Sequence, residues 1–242
     1  MKHINSVLDF FRKENTPNYG EKEDLNETAH DVQLAVPANG SMEEGRYVEM
    51  TGKYAPIIPL DAPAVLTWTK LRIETRQAEP KALLNDVSGK ITGGLWAVMG
   101  PSGSGKTTLL STLSLRLDTQ RMAMSGDLRL NGAPYTKHML KNMSGYVQQD
   151  DLLHAHLTVG ETLWYAAALR MNADYTSVER QARVNEVLNM MGVEYCAEVI
   201  VGDTRNKGIS GGERKRVCVA IELLTSPKLM FLDEPTSGNY LL

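Results

Sequence analysis

Gly100-Pro101-Ser102-Gly103-Ser104-Gly105-Lys106-Thr107 fills every fixed position of the pattern G-x-x-x-x-G-K-[ST]. Ahead of it runs Leu95-Trp96-Ala97-Val98-Met99, and behind it Leu109, Leu110 and Leu113 recur at helical spacing. The reading is a buried strand, a glycine-rich turn and a helix, the local signature of an α/β domain. Glycines let the backbone fold around phosphate oxygens with its N–H groups inward, and the helix start adds partial positive charge. Lys106 is expected to reach the β- and γ-phosphates, and Thr107 to offer a hydroxyl to Mg²⁺, a cation that prefers oxygen ligands. Gly100, Pro101, Ser102, Gly103, Ser104, Gly105, Lys106, Thr107 and Thr108 are therefore the predicted nucleotide-binding residues, with ATP and Mg²⁺ as the expected ligands.

Far downstream, Leu229-Met230-Phe231-Leu232-Asp233-Glu234 is an apolar run that ends in two carboxylates. A buried strand delivering Asp233 to its tip would set that carboxylate near the metal and turn Glu234 toward the γ-phosphate. Glu234 is then the expected general base for an attacking water. In isolation a solvated Asp-Glu turn reads the same way. Paired with the phosphate loop, the run gains a chemical purpose.

A third segment, Ile209-Ser210-Gly211-Gly212-Glu213-Arg214-Lys215-Arg216, precedes a helix with Val217, Ala220, Ile221 and Leu224 on one face, stopped at Pro227. Ser210 and Glu213 form a capping box, and two glycines expose backbone N–H groups, which makes a second helix-start anion site. The segment resembles the signature motif of ABC ATPases, and phosphate loop, signature and Asp-Glu run occur here in the ABC order and spacing. More narrowly, Tyr146-Val147-Gln148-Gln149-Asp150-Asp151-Leu152-Leu153, Leu157-Thr158-Val159-Gly160-Glu161-Thr162-Leu163 and Asp233-Glu234-Pro235-Thr236-Ser237-Gly238 resemble the G subfamily, the white-brown complex type. The similarity runs from about Val65 to Gly238.

That resemblance implies a P-loop NTPase of ABC type with a helical subdomain and a small antiparallel β subdomain. It implies that Ser210, Gly211, Gly212 and Glu213 close over ATP held by the P-loop of a second subunit. It makes Gln149 the Q-loop glutamine, touching Mg²⁺ or the attacking water, with Gln148 the competing choice; Thr107, Gln149 and Asp233 form the implied Mg²⁺ set. Partners follow: a homodimer or half-transporter pair, and a membrane domain in the full-length protein that would hold the chain on the cytosolic face of a membrane. The expected function is ATP hydrolysis driving export across a membrane. Two alternatives are a nucleotide-binding fragment without hydrolysis and a soluble ABC ATPase acting on ribosomes or DNA. Against the latter, translation-factor members carry two cassettes and chromosome-type members a long coiled coil, and neither pattern occurs here.

Two departures stand out. Near Thr75 no aromatic suited to stacking on adenine is found, and Gly238-Asn239-Tyr240-Leu241-Leu242 stands where the family has Gly-Leu-Asp. The expectation is a sequence cut short there, its core sheet incomplete at the C-terminal side and its fold poor when expressed alone.

Composition sets the outer bounds. A chain of 242 residues with 42% hydrophobic and 23% charged residues and a net charge of −3 is long enough for one full-sized domain and has no basic bias toward nucleic acid, so no nucleic-acid partner is expected. No stretch approaches the ~20 apolar residues of a membrane-spanning helix, and no secretory signal opens the chain. The two cysteines, Cys196 and Cys218, sit in no metal-binding pattern, Cys218 on an expected buried helix face. His154 and His156 lack a third ligand nearby for zinc. Asn26 and Asn142 open glycosylation-type triplets too short to carry weight. Residues 1–62, rich in Glu, Asp, Asn, Gly and Pro, read as a mostly disordered extension with one apolar patch, Val7-Leu8-Asp9-Phe10-Phe11. Residues 63–242 read as the ATP-binding domain. Within it, Val65-Leu66-Thr67-Trp68, Leu128-Arg129-Leu130 before the Asn131-Gly132 turn, and Gly145-Tyr146-Val147-Gln148 read as strands, and 151–208 as the helical subdomain, with Thr158 and Glu161 a capping box and Val184, Val187, Leu188 and Met191 a helix face ending at Gly192.

Overall fold

The computed structural model describes residues 47–50, 53–56, 63–203 and 205–235. The readings placed on 7–11, on Asn26 and on 236–242 lie outside the described residues. Two compact units divide the chain, one ending at Leu140 and the other beginning at Lys141.

In the first unit, β1 (Tyr47–Met50) and β2 (Lys53–Pro56) pair antiparallel, with Tyr47 opposite Pro56 and Met50 opposite Lys53. This hairpin falls in the stretch read from composition as an extension, where short alternating runs are too brief to stand out. A four-stranded antiparallel sheet follows, built from β3 (Val65–Thr75), β4 (Ala82–Thr92), β5 (Met122–Leu130) and β6 (Ala133–Pro134) in the order β4-β3-β5-β6. It is the small antiparallel sheet expected of the fold.

Strand β3 shows how sequence sets its burial. Leu66 and Trp68 are buried, and so are Leu71 and Ile73, although the two pairs are out of phase for a period of two. Register shifts between Trp68 and Leu71, with Lys70 at φ 48, insert the extra residue that turns both pairs to one face. Trp68 lies over Gly89 of β4, where a Cβ would stand 2.3 Å from the indole. At the other end, Asn131 (φ 51) and Gly132 (φ 81) make the two-residue turn that the Asn-Gly pair predicts. Asn131 also clamps the start of β3, its Oδ1 accepting from Val65 N and its N–H donating to Val65 O, both at 2.7 Å.

One strand expectation is overturned. Residues 95–99 form no strand, and Leu95 and Met99 are 48% and 76% exposed rather than buried. A buried strand needs ladder partners for its N–H and C=O groups, and among the described residues no strand pairs with this run.

The second unit holds β7 (Ser144–Val147), α3 (Val159–Arg170), α4 (Ser177–Met190), a 3₁₀ turn (Glu194–Cys196), α5 (Gly211–Leu223) and β8 (Leu229–Leu232). Helix α1 (Lys106–Leu113) belongs to the first unit, and α2 (Lys137–Met143) runs across the division of the chain. Strands β7 and β8 are parallel, Ser144 opposite Leu229 and Val147 opposite Leu232, and Asp233 N extends the ladder to Val147 O at 3.0 Å. Parallel neighbours so far apart in sequence require a crossover, and the helices supply it.

All three long helices of this unit start on capping boxes: Thr158 with Glu161, Thr176 with Glu179, and Ser210 with Glu213. They pack on one another through Leu163, Ala167, Val184, Val187, Val217 and Ala220, all fully buried. Two arginines lock the group. Arg170 grips the Glu222 carboxylate with two bonds of 2.7 and 2.6 Å, and Glu222 in turn accepts from Tyr146 N in β7 at 3.2 Å. Arg183 donates to Leu223 O at 2.6 Å and Leu224 O at 3.2 Å, satisfying carbonyls that a helix end leaves open. Ser226 N also donates to Leu223 O at 3.0 Å, and Ser226, at φ 49 just before Pro227, leaves the helical conformation, so α5 stops where the proline predicts.

Candidate functional site

The phosphate loop lies in the first unit. Gly105 is the N-cap of α1 in the left-handed conformation (φ 93), and a Cβ there would meet Leu84 Cδ2 at 2.8 Å and Leu83 O at 3.0 Å. Glycine alone fits on both counts. Lys106 opens the helix, and its ammonium reaches back over the loop to Gly100 O and Pro101 O, each at 2.9 Å. The point charge thus lies over the residues predicted to cradle phosphate. Thr107 follows in the first turn of α1, where N–H groups and the helix dipole favour an anion.

The second unit gathers the remaining predicted residues. Asp233 sits at the end of β8, only 5% exposed, with Tyr146 Oη donating to its Oδ2 at 3.4 Å. Glu234 turns sharply out of the strand with φ 46, a left-handed conformation that non-glycine residues seldom adopt and that clusters at functional sites. Gln149, two residues beyond β7, donates from Nε2 to Glu234 Oε2 at 2.8 Å. Because β7 and β8 are parallel neighbours, their C-terminal ends bring the glutamine, the aspartate and the glutamate to one edge.

At the start of α5, Ser210 Oγ accepts from Glu213 N at 3.3 Å and Glu213 Oε2 accepts from Ser210 N at 2.6 Å, as the capping-box reading required. Tyr195, from the 3₁₀ turn, donates to Glu213 Oε1. Burial works against the Glu213 carboxylate, but hydrogen bonds from Tyr195 and Ser210 and the nearby Arg216 charge outweigh it and hold its pKa below the usual value. The same contact with Glu213 raises the Tyr195 hydroxyl. Sequence reasoning passed over Tyr195 and Tyr146. Nothing in their local pattern distinguishes them from packing tyrosines.

Thr107 hydroxyl, Gln149 amide oxygen and Asp233 carboxylate are all oxygen donors, the chemistry Mg²⁺ requires. Among the described residues no group of three His, Cys, Asp or Glu forms an all-protein cage. Thr107 belongs to the first unit and Gln149 and Asp233 to the second, and each offers the kind of donor used by a cation that takes part of its shell from phosphate and water.

Fold and site define a P-loop nucleotide-binding domain with a helix-start signature. Residues 84–237 match the family model described as "ABC transporter", and the chain belongs to the ABC transporter family. It is 44% identical over 163 residues to the mouse "Broad substrate specificity ATP-binding cassette transporter ABCG2", covering 67% of this chain and 24% of the relative. From Arabidopsis thaliana, "ABC transporter G family member 25" is 46% identical over 166 residues (68% of this chain, 25% of the relative), and "ABC transporter G family member 1" 43% over 166 residues (68% and 22%). The likeness to the G subfamily is thus direct, and the chain spans about a quarter of these relatives' length. No helix among the described residues is long and apolar enough to cross a membrane.

Proposed function

We propose that this chain binds MgATP through residues 100–108 and, in a dimer, hydrolyses it to drive a substrate across a membrane. In this reading residues 63–242 form the ATP-binding domain, with 151–208 its helical subdomain, and a membrane domain couples to it from the cytosolic face. Lys106 holds the β- and γ-phosphates. Thr107, Gln149 and Asp233 would hold Mg²⁺, which would offset the charge of the phosphates. Residues Ser210 to Glu213 of one copy present the α5 helix start to nucleotide held by the other.

The observation that carries the reading is the 2.8 Å bond from Gln149 Nε2 to Glu234 Oε2, which joins an amide to the expected base at the end of a parallel strand pair. A carboxylate so held can accept a proton from water, and the amide can orient that water. The test is Glu234→Gln in the dimeric protein: nucleotide affinity should persist while turnover stops. Turnover near the wild-type rate would remove Glu234 from the role.

A second reading, nucleotide binding without turnover, is favoured by the 95–99 segment just ahead of the P-loop, where Leu95 and Met99 are exposed and no strand among the described residues pairs with the run. Single-turnover hydrolysis measured with wild-type protein separates the two, since binding without any phosphate release supports the second.

A further inference from the structure

Lys215 stands in the second turn of α5, one turn past the Ser210/Glu213 cap, and is 4% exposed. It shares a stripe with Val219 and Leu223, four and eight residues on, both buried. An apolar side chain would serve if packing were the only need there. A buried ammonium is tolerated only when paired and hydrogen-bonded, and Lys215 meets three oxygens: Asp151 Oδ1 at 2.8 Å, Gln148 O at 3.4 Å, and Gln149 O. Three acceptors match its three N–H donors.

Two of those acceptors are main-chain oxygens of the Q-loop. From Gln149 the connection continues through its own side chain, whose Nε2 donates to Glu234 Oε2 at 2.8 Å. One turn further along α5, Cys218 Sγ lies 3.6 Å from Asp151 Oδ1, so the helix meets the loop at two points. An unbroken series of contacts thus runs from the signature cap along α5 to Lys215, to the Gln149 backbone, to the Gln149 amide and to Glu234.

We infer that Lys215 is a positioning residue: its ammonium ties the Gln148-Gln149 main chain to the signature helix, so that a shift of α5 is passed to the Gln149 amide and to Glu234 in the same copy. The inference deepens the hydrolysis reading and rests on it for the consequence on turnover. An ordinary structural ion pair would need only Asp151. A tether needs the two carbonyls as well.

The experiment compares Lys215→Met and the double variant Lys215→Met/Asp151→Asn in the dimeric protein. Lys215→Met should speed amide hydrogen exchange across 148–152 about tenfold, measured without nucleotide. It should also lower kcat about tenfold or more while KM for ATP stays within about twofold, since a displaced amide harms the reacting geometry and not uniform binding. The double variant relieves the unpaired Asp151 carboxylate and should regain thermal stability, yet keep fast exchange and low kcat. Unchanged exchange or unchanged kcat in Lys215→Met, or recovery of both in the double variant, overturns the inference and leaves Lys215 as the partner of Asp151 alone. The exchange measurement does not depend on ATP. Fast exchange in Lys215→Met beside a wild-type protein that never hydrolyses ATP would refute the hydrolysis reading and leave the tether standing.

Discussion

Two apolar runs of similar character meet different fates in this chain. Leu229–Leu232 becomes β8, buried at Phe231 and paired in register with β7, while 95–99 forms no strand and leaves Met99 76% exposed. Both read as buried strands from hydrophobicity. What separates them is a neighbour: β8 has one along its length, and its ladder continues to Asp233, whereas the run at 95–99 pairs with no strand among the described residues. A strand is a property of a ladder, and an apolar sequence by itself secures only the tendency. That ladder holds Asp233 at the tip of β8, while the P-loop, which follows the 95–99 run, has its last glycine, Gly105, packed against Leu84 at the start of α1.

In the proposed function chemistry falls to residues of the second unit and nucleotide binding to residues of the first, and each part of that proposal can be broken. Glu234→Gln should cut turnover about a hundredfold or more with ATP affinity retained, because the amide fills the site without accepting a proton; ATPase rates beside analogue titrations decide it. Hydrogen exchange addresses the ladders directly. The Asp233 amide, donating to Val147 O, should exchange about a hundredfold more slowly than the amides of 96–99, and equal rates would show that the two runs do not differ in solution.

Lys106→Ala should weaken ATP binding about tenfold or more by removing the charge over the loop, as read with a labelled analogue. Unchanged affinity would take the P-loop out of the site. A smaller effect belongs to Ser210→Ala, which deletes the side-chain acceptor for Glu213 N and should cost about 1 kcal/mol in chemical unfolding. Smallest of all is the expected reactivity of Cys218. Burial first, then the neighbouring Asp151, push its thiol up to about 12, so at pH 7 to 8 it stays protonated, alkylation is negligible, and labelling begins only on unfolding or as pH approaches that value. Rapid labelling of the folded protein at pH 8 would show that α5 is not packed against the Q-loop.

Much of the site was legible in advance because its parts are local. Each of Thr158/Glu161 and Ser210/Glu213 is a capping box that needs only four consecutive residues, and both form. The Asn131-Gly132 turn likewise follows from two residues able to take positive φ. Strand β4 was not legible. Its sequence, Ala-Leu-Leu-Asn-Asp-Val-Ser-Gly-Lys-Ile-Thr, mixes turn formers into the run and owes its pairing to β3, including the register shifts that keep Leu66, Trp68, Leu71 and Ile73 on one face.

By itself the sequence determined the phosphate loop, the signature cap, the carboxylate pair and, through their order, the family, because each rests on residues adjacent in the chain whose geometry is fixed by short-range sterics and hydrogen bonds. Only the tertiary structure decided that Gln149 meets Glu234, that Lys215 reaches the Q-loop carbonyls, that Arg183 binds a carbonyl at the end of α5, and that 95–99 pairs with no strand among the described residues. Those contacts join residues 40 to 85 positions apart, and whether such partners meet depends on which elements pack together, a choice that no local pattern encodes.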